Sequence, residues 1–116
     1  MERLELDRLA LELHSTAVTK KFWDEYPKNG TESEKFVFYA KQIAMIHSEA
    51  TEVLESIRKR KDSHETVEEL ADILIRTLDL YGAMYSYGYT PFSLQKVLES
   101  KMDKNLSRPD KHGVLG

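Results

Sequence analysis

Glu49 and Glu52 stand three residues apart in Glu49-Ala50-Thr51-Glu52, and Glu69 and Asp72 repeat that spacing in Glu69-Leu70-Ala71-Asp72. On a helix a three-residue step displaces the side chain by only about 60°, so each pair offers its oxygens along one side. The two pairs are symmetric about Arg60-Lys61. An antiparallel helical hairpin closing there sets Glu52 beside Glu69 and Glu49 beside Asp72. Facing carboxylates at ~5 Å repel by roughly 3 kcal/mol per pair at an effective dielectric of about 20. Divalent cations between them remove that cost, and an oxygen-only donor set favours hard ions, magnesium or manganese.

The competing interpretation is a plain solvated face, because Glu65, Glu69, Asp72, Arg76 and Asp79 share one helical lane and such motifs are frequent by chance. Two motifs with matched hairpin spacing, flanked by Ile73, Ile75 and Leu80, weigh toward a site. A di-iron or di-manganese carboxylate centre would need Glu-x-x-His on two helices. His14 and His47 have no glutamate three residues ahead, and His64 has Lys61 there. Redox metal chemistry is therefore the weaker reading.

The elements that must position these acids are helical, since no segment alternates apolar and polar residues long enough to argue a strand. Helix one is expected from about Leu4 to Asp24, with Leu6, Leu9, Leu13 and Ala17 on one stripe and Leu4, Leu11, Val18 and Phe22 beside it. Tyr26-Pro27-Lys28-Asn29-Gly30 ends it, and Thr31 with Glu34 forms a capping-box signature for helix two. That helix is expected to run for about 28 residues and to bury Phe36, Ala40, Ile43, Ile46, Ala50, Val53 and Ile57. After Lys61-Asp62-Ser63, with Asp62 and Glu65 as cappers, helix three carries the stripe Val67, Leu70, Leu74, Leu78, Tyr81 and Tyr85. Gly88 and Thr90-Pro91 lead into helix four, with Pro91 expected at its first position, and 107–116 reads as an extended tail. The expectation is an all-α, four-helix bundle-like fold with a long central antiparallel hairpin, in one domain spanning 1–116.

Hydrophobic residues at 41% and charged residues at 32% describe a globular chain rather than a disordered one. A net charge of -3 gives no polybasic field, so duplex nucleic acid is not an expected partner. The absence of cysteine excludes disulfides, thiolate metal sites and a cysteine nucleophile. The charged start Met1-Glu2-Arg3-Leu4-Glu5 builds no signal peptide, and the longest uncharged run, Leu80 to Gln95, is too short and polar to span a bilayer. A cytoplasmic protein without a membrane partner is expected. Apolar flank such as Phe38, Met45, Ile75 and Leu80 points to a homodimer or homotetramer.

The segments Ile46-His47-Ser48-Glu49-Ala50-Thr51-Glu52-Val53-Leu54-Glu55 and Glu68-Glu69-Leu70-Ala71-Asp72-Ile73-Leu74-Ile75-Arg76-Thr77-Leu78-Asp79-Leu80 resemble the MazG-like branch of the all-α nucleoside triphosphate pyrophosphohydrolases. Lys101-Met102-Asp103-Lys104-Asn105-Leu106-Ser107-Arg108-Pro109 and Lys111-His112-Gly113 are similar to that family's last helix and tail. The resemblance implies hydrolysis of a nucleoside triphosphate to the monophosphate and pyrophosphate, with magnesium (or manganese) held by Glu49, Glu52, Glu69 and Asp72. It implies Glu49 or Glu52 as the general base, with Glu49 favoured. Lys101, Asn105 and Arg108, spaced i, i+4 and i+7, would bind the leaving phosphates from one side of helix four, and Arg76 is a further phosphate candidate. Against these roles stand a snorkelling Lys101, a C-capping Asn105, Arg108 as a surface charge, and Arg76 paired only with Asp72 or Asp79.

His14-Ser15-Thr16-Ala17-Val18-Thr19-Lys20-Lys21-Phe22-Trp23 is similar to the family's first-helix segment, where a lysine and an aromatic pair help form the nucleotide pocket. This makes His14, Lys20, Trp23 and Asp79 candidates for nucleotide binding, weighed against a structural histidine and a core tryptophan. The segment departs from the family's pattern at Thr16, where asparagine is expected, and at Lys21, where glycine is expected. Two alternatives remain open. One is a non-catalytic helical module using Tyr81, Tyr85, Tyr87 and Tyr89 as a partner surface, and the other is a phosphoribosyl-ATP pyrophosphohydrolase-like activity.

Overall fold

A computed structural model describes residues 5–109; Leu4 and the last part of the expected tail, with Lys111-His112-Gly113, lie outside them. The chain forms α1 (Leu6–Thr19), α2 (Glu32–Arg58), α3 (Ser63–Ser86) and α4 (Leu94–Ser107), and no strand occurs among the described residues. The all-α expectation holds, with α2 and α3 as the long antiparallel hairpin.

Helix α2 starts where the capping box places it: Glu34 N–H donates to Thr31 Oγ1 at 3.1 Å and Thr31 N–H donates to Glu34 Oε1 at 2.9 Å. The Thr31 backbone donor favours the ionised acid and holds the Glu34 carboxyl below its ordinary range. The helix runs 27 residues. Arg60, with φ 52°, turns the chain, and Asp62 caps α3 by accepting from His64 N–H at 3.1 Å. A 2.7 Å hydrogen bond between Ser56 Oγ and Thr66 Oγ1 closes the base of the hairpin.

Helix α3 is central, packing along α2 on one flank and α1 on another. Small residues make the α1–α3 crossing tight. A Cβ on Gly82 would come within 2.6 Å of Ala10 O and 2.8 Å of His14 Cβ. At the open end of the hairpin an aromatic cluster fills the core: the Tyr26 and Tyr87 rings stack at 4.3 Å, and the Tyr26 and Tyr39 hydroxyls share a 2.9 Å hydrogen bond. Burial, then the bond to Tyr26, pushes the Tyr39 phenol well above its ordinary pKa.

Three boundaries and faces differ from the sequence reading. Helix α1 stops at Thr19 rather than Asp24, because Lys21 turns into the left-handed region at φ 69°. Helix α4 begins at Leu94, with Ser93 and not Pro91 as its starting signal. Ser93 Oγ accepts from Lys96 N–H at 3.1 Å, while Asp7 accepts from Gln95 N–H at 2.9 Å and ties the turn to α1. None of the α4 residues is buried.

The largest correction concerns which face of the hairpin is inside. The seam of α2 is Tyr39, Gln42, Ile46, Glu49, Val53 and Ser56, and that of α3 is Thr66, Glu69, Ile73, Arg76, Leu80 and Ala83, all buried or half-buried. Both follow the alternating three- and four-residue steps of an antiparallel helical pair. Of the apolar stripes expected inside, Ile46, Val53, Leu78 and Tyr81 are buried or half-buried, but most of the rest is turned out, with Phe36 65%, Ile43 46%, Ile57 61%, Val67 60%, Leu70 47% and Leu74 62% exposed. Of the expected apolar flank, Ile75 is exposed, Phe38 and Met45 are half-buried, and Leu80 is buried.

Candidate active site

Because Glu49 and Glu69 occupy seam positions, the packing that joins α2 to α3 also draws the two acidic motifs together. Glu52 and Asp72 stand one residue before the seam positions Val53 and Ile73, on the exposed side. Hydrogen bonding to Glu49 and its charge push the Glu52 carboxyl above its ordinary range, with smaller contributions from burial and from the charges of Glu69 and Asp72. Each of the other three acids thus acts on Glu52. Glu69 Oε2 is buried and finds no hydrogen-bond partner. Glu49 Oε1 instead accepts a 2.8 Å bond from Arg76 Nε, with the Glu49 side chain 14% exposed.

This donor set fits a hard dication. It is all carboxylate oxygen, one oxygen is orphaned in the seam, and a second carboxyl is strained by like charge, which an added cation would relieve. The fit needs rearrangement, since among the described residues no three such side chains surround a common point while Glu49 faces Arg76.

A concavity of about 330 Å³ opens beside the acids, between α1 and the hairpin, with Glu49, Asp72, Arg76, Asp79, Lys20 and Phe22 in its wall. A second, of about 500 Å³, shares Phe22, Arg76 and Asp79 and extends toward Lys41 and Gln42. The acids together with Lys20 and Arg76 give this region both signs of charge, as a metal-bridged phosphate ester requires.

His14 and Trp23 lie beneath the pocket in the core, at 5% and 3% exposure. Their polar atoms converge on Asp79. An ionised carboxylate only accepts, so His14 Nδ1 donates to Asp79 Oδ1 at 2.9 Å and Trp23 Nε1 donates to both Asp79 oxygens at 3.1 Å. Asp79 is therefore a hub between α1, the α1–α2 connection and α3. Phe22, 69% exposed, is the aromatic ring in the pocket wall. Its signal was the left-handed turn at Lys21, the position where glycine was expected, which sends the adjacent rings of Phe22 and Trp23 in different directions. Lys101, Asn105 and Arg108 are all exposed, and neither concavity includes them; Arg108 is the extended C-cap of α4, so the three do not share one helical side.

Among protein-family models, the MazG nucleotide pyrophosphohydrolase domain matches residues 39–113. More than half of the chain is covered, and the chain belongs to this family of nucleotide pyrophosphohydrolases. No curated protein and no solved structure matches it significantly. The match takes in α2 from Tyr39 onward, α3 and α4 but not α1, the helix that supplies Leu13, Thr16, Ala17 and, just past its end, Lys20 to the pocket wall.

Proposed function

We propose that this family member hydrolyses a nucleoside triphosphate between the α and β phosphates, giving the monophosphate and pyrophosphate, and so limits or cleans a nucleotide pool. The observation that carries the reading is the facing of two acidic pairs across one helix seam, with a buried Glu69 oxygen left for a ligand. Glu49, Glu52, Glu69 and Asp72 would hold magnesium, for which manganese can substitute. When bound, the ion supplies charge neutralisation and Lewis-acid polarisation of the phosphate.

The chain's own residues do the rest. Glu49, or Glu52, takes the proton from the attacking water as its oxygen bonds to the α-phosphorus, and the bond to the β-phosphate oxygen breaks to release pyrophosphate. Arg76 and Lys20, both in the pocket wall, would donate charge-assisted hydrogen bonds to phosphate oxygens. Phe22 offers an exposed ring against which a base can lie, and Asp79 holds the wall through His14 and Trp23. Lys101, Asn105 and Arg108 belong to the same proposal as phosphate donors that reach the pocket through movement of α4 or from a second copy. A homodimer or homotetramer is part of the reading, because the hairpin's outer apolar face is bare in the single chain.

Incubation with magnesium and each of the common ribo- and deoxyribonucleoside triphosphates, with phosphoribosyl-ATP in the panel, tests it. Pyrophosphate and monophosphate should appear in equal amounts, and Glu52→Gln should abolish them while raising the melting temperature of the metal-free protein by relieving repulsion. Release of orthophosphate, or no product from any substrate, would refute the proposal.

A further inference from the structure

Arg76 is a cation built into the seam among the acids. It follows Asp72 by one turn of α3, its Nε donates to Glu49 Oε1 on α2 at 2.8 Å, and one Nη lies 4.0 Å from Met45 Sδ. With Glu49 14% and Arg76 37% exposed, the bond is sheltered, and a charge-assisted hydrogen bond there fixes the orientation of the carboxylate. Arg76 also borders both concavities, so a small rotation keeps its guanidinium at the pocket wall. Arg76 engages one oxygen of Glu49, and among the described residues no three of the acids gather around one point in this arrangement.

We propose that Arg76 is an internal counter-cation that holds Glu49 until a divalent ion takes that carboxylate, and that the freed guanidinium then meets substrate phosphate from the pocket wall. The inference rests on the metal-site reading above and adds a coupling to it: ion and arginine compete for one carboxylate. Substrate phosphate, by engaging the released arginine, then favours ion binding. Arg76 acts as a positioning residue for Glu49 before the ion binds, and as a phosphate ligand after.

The test uses the whole chain and manganese alone, with bound and free ion distinguished by electron paramagnetic resonance. Arg76→Gln should bind the ion about tenfold more tightly than the unaltered protein, and adding Glu49→Gln should erase that difference. In the unaltered protein labelled with nitrogen-15, the Arg76 Nε–H signal should be protected without metal and should shift and lose protection as magnesium is added. Equal or weaker manganese binding by Arg76→Gln, with binding by the unaltered protein intact, would overturn the counter-cation alone. An Arg76 signal unmoved at magnesium saturation would do the same, even where the variant does not fold. Failure of the unaltered protein to bind manganese would overturn the metal site itself.

Discussion

At the scale of single residues, function and stability meet at Asp79. Its carboxylate accepts from two buried donors, His14 Nδ1 and Trp23 Nε1, and its own side chain is 17% exposed at the pocket floor. Asp79→Ala leaves both donors buried without an acceptor, a loss of about 2–4 kcal/mol at the usual cost of orphaned polar groups. Urea unfolding followed by the fluorescence of the single tryptophan should show the midpoint fall accordingly, and an unchanged midpoint would mean that the hub bears no load. Asp79→Asn, which keeps one acceptor oxygen, should fall between. A structural His14 and a core Trp23 were weighed from the sequence, but their shared partner was not legible there, since Asp79 is 65 residues from His14 and 56 from Trp23. Contacts of that separation have no local signature. The approach of the two acidic motifs was legible, because hairpin symmetry converts spacing in sequence into proximity in space. What spacing could not reveal was the guanidinium already bonded to one of them.

At the scale of helices, the seam explains both what was readable and what was inverted. Caps are local chemistry, and Thr31 with Glu34 started α2 where their types required. Pro91 misled because its preference for a first helical position is weaker than the Ser93 cap combined with the bonds that Ser93 Oγ and Gln95 N–H donate to Asp7. Choosing the inside face by apolar content succeeded only in part: Ile46, Val53 and Leu78 are inside, but Gln42, Glu49, Thr66, Glu69 and Arg76 take seam positions while Phe36, Ile43 and Leu74 do not. Such a polar seam needs another source of adhesion, and the α1–α3 crossing supplies part of it. Its closeness depends on Gly82, where an added methyl would press on the Ala10 carbonyl of the opposing backbone. Alanine is the better helix former by roughly 1 kcal/mol, whereas overpacking costs about 1–3 kcal/mol. Gly82→Ala should therefore lower the melting temperature and, by moving α1, weaken nucleotide binding. A more stable variant would show that the helices can separate without loss.

At the scale of the whole molecule, the exposed stripes are one surface rather than two. Residues one step after each seam position fall on the same side of an antiparallel pair, so Ile43, Ile57, Val67, Leu70 and Leu74 share a face. The pocket wall on α3, Asp72, Ile75 and Asp79, lies one step before the seam, where α1 packs. Thus one face of the hairpin is covered by α1, while the other is apolar and bare. The chain exposes 9163 Å², against about 6500 Å² for a compact monomer of its mass. A stable interface removes about 800 Å² per partner, so a second hairpin laid on this face is compatible with that excess and completes a four-helix arrangement. Leu74 is 62% exposed in the single chain, so Leu74→Glu should leave the fold of one chain intact while setting charges against each other across the proposed interface. Light scattering on a sizing column should then show an oligomer for the unaltered protein and a monomer for the variant, with helical content retained by circular dichroism. An unaltered protein that runs as a monomer would refute self-association, whereas an oligomer indifferent to Leu74→Glu would move the interface off this face.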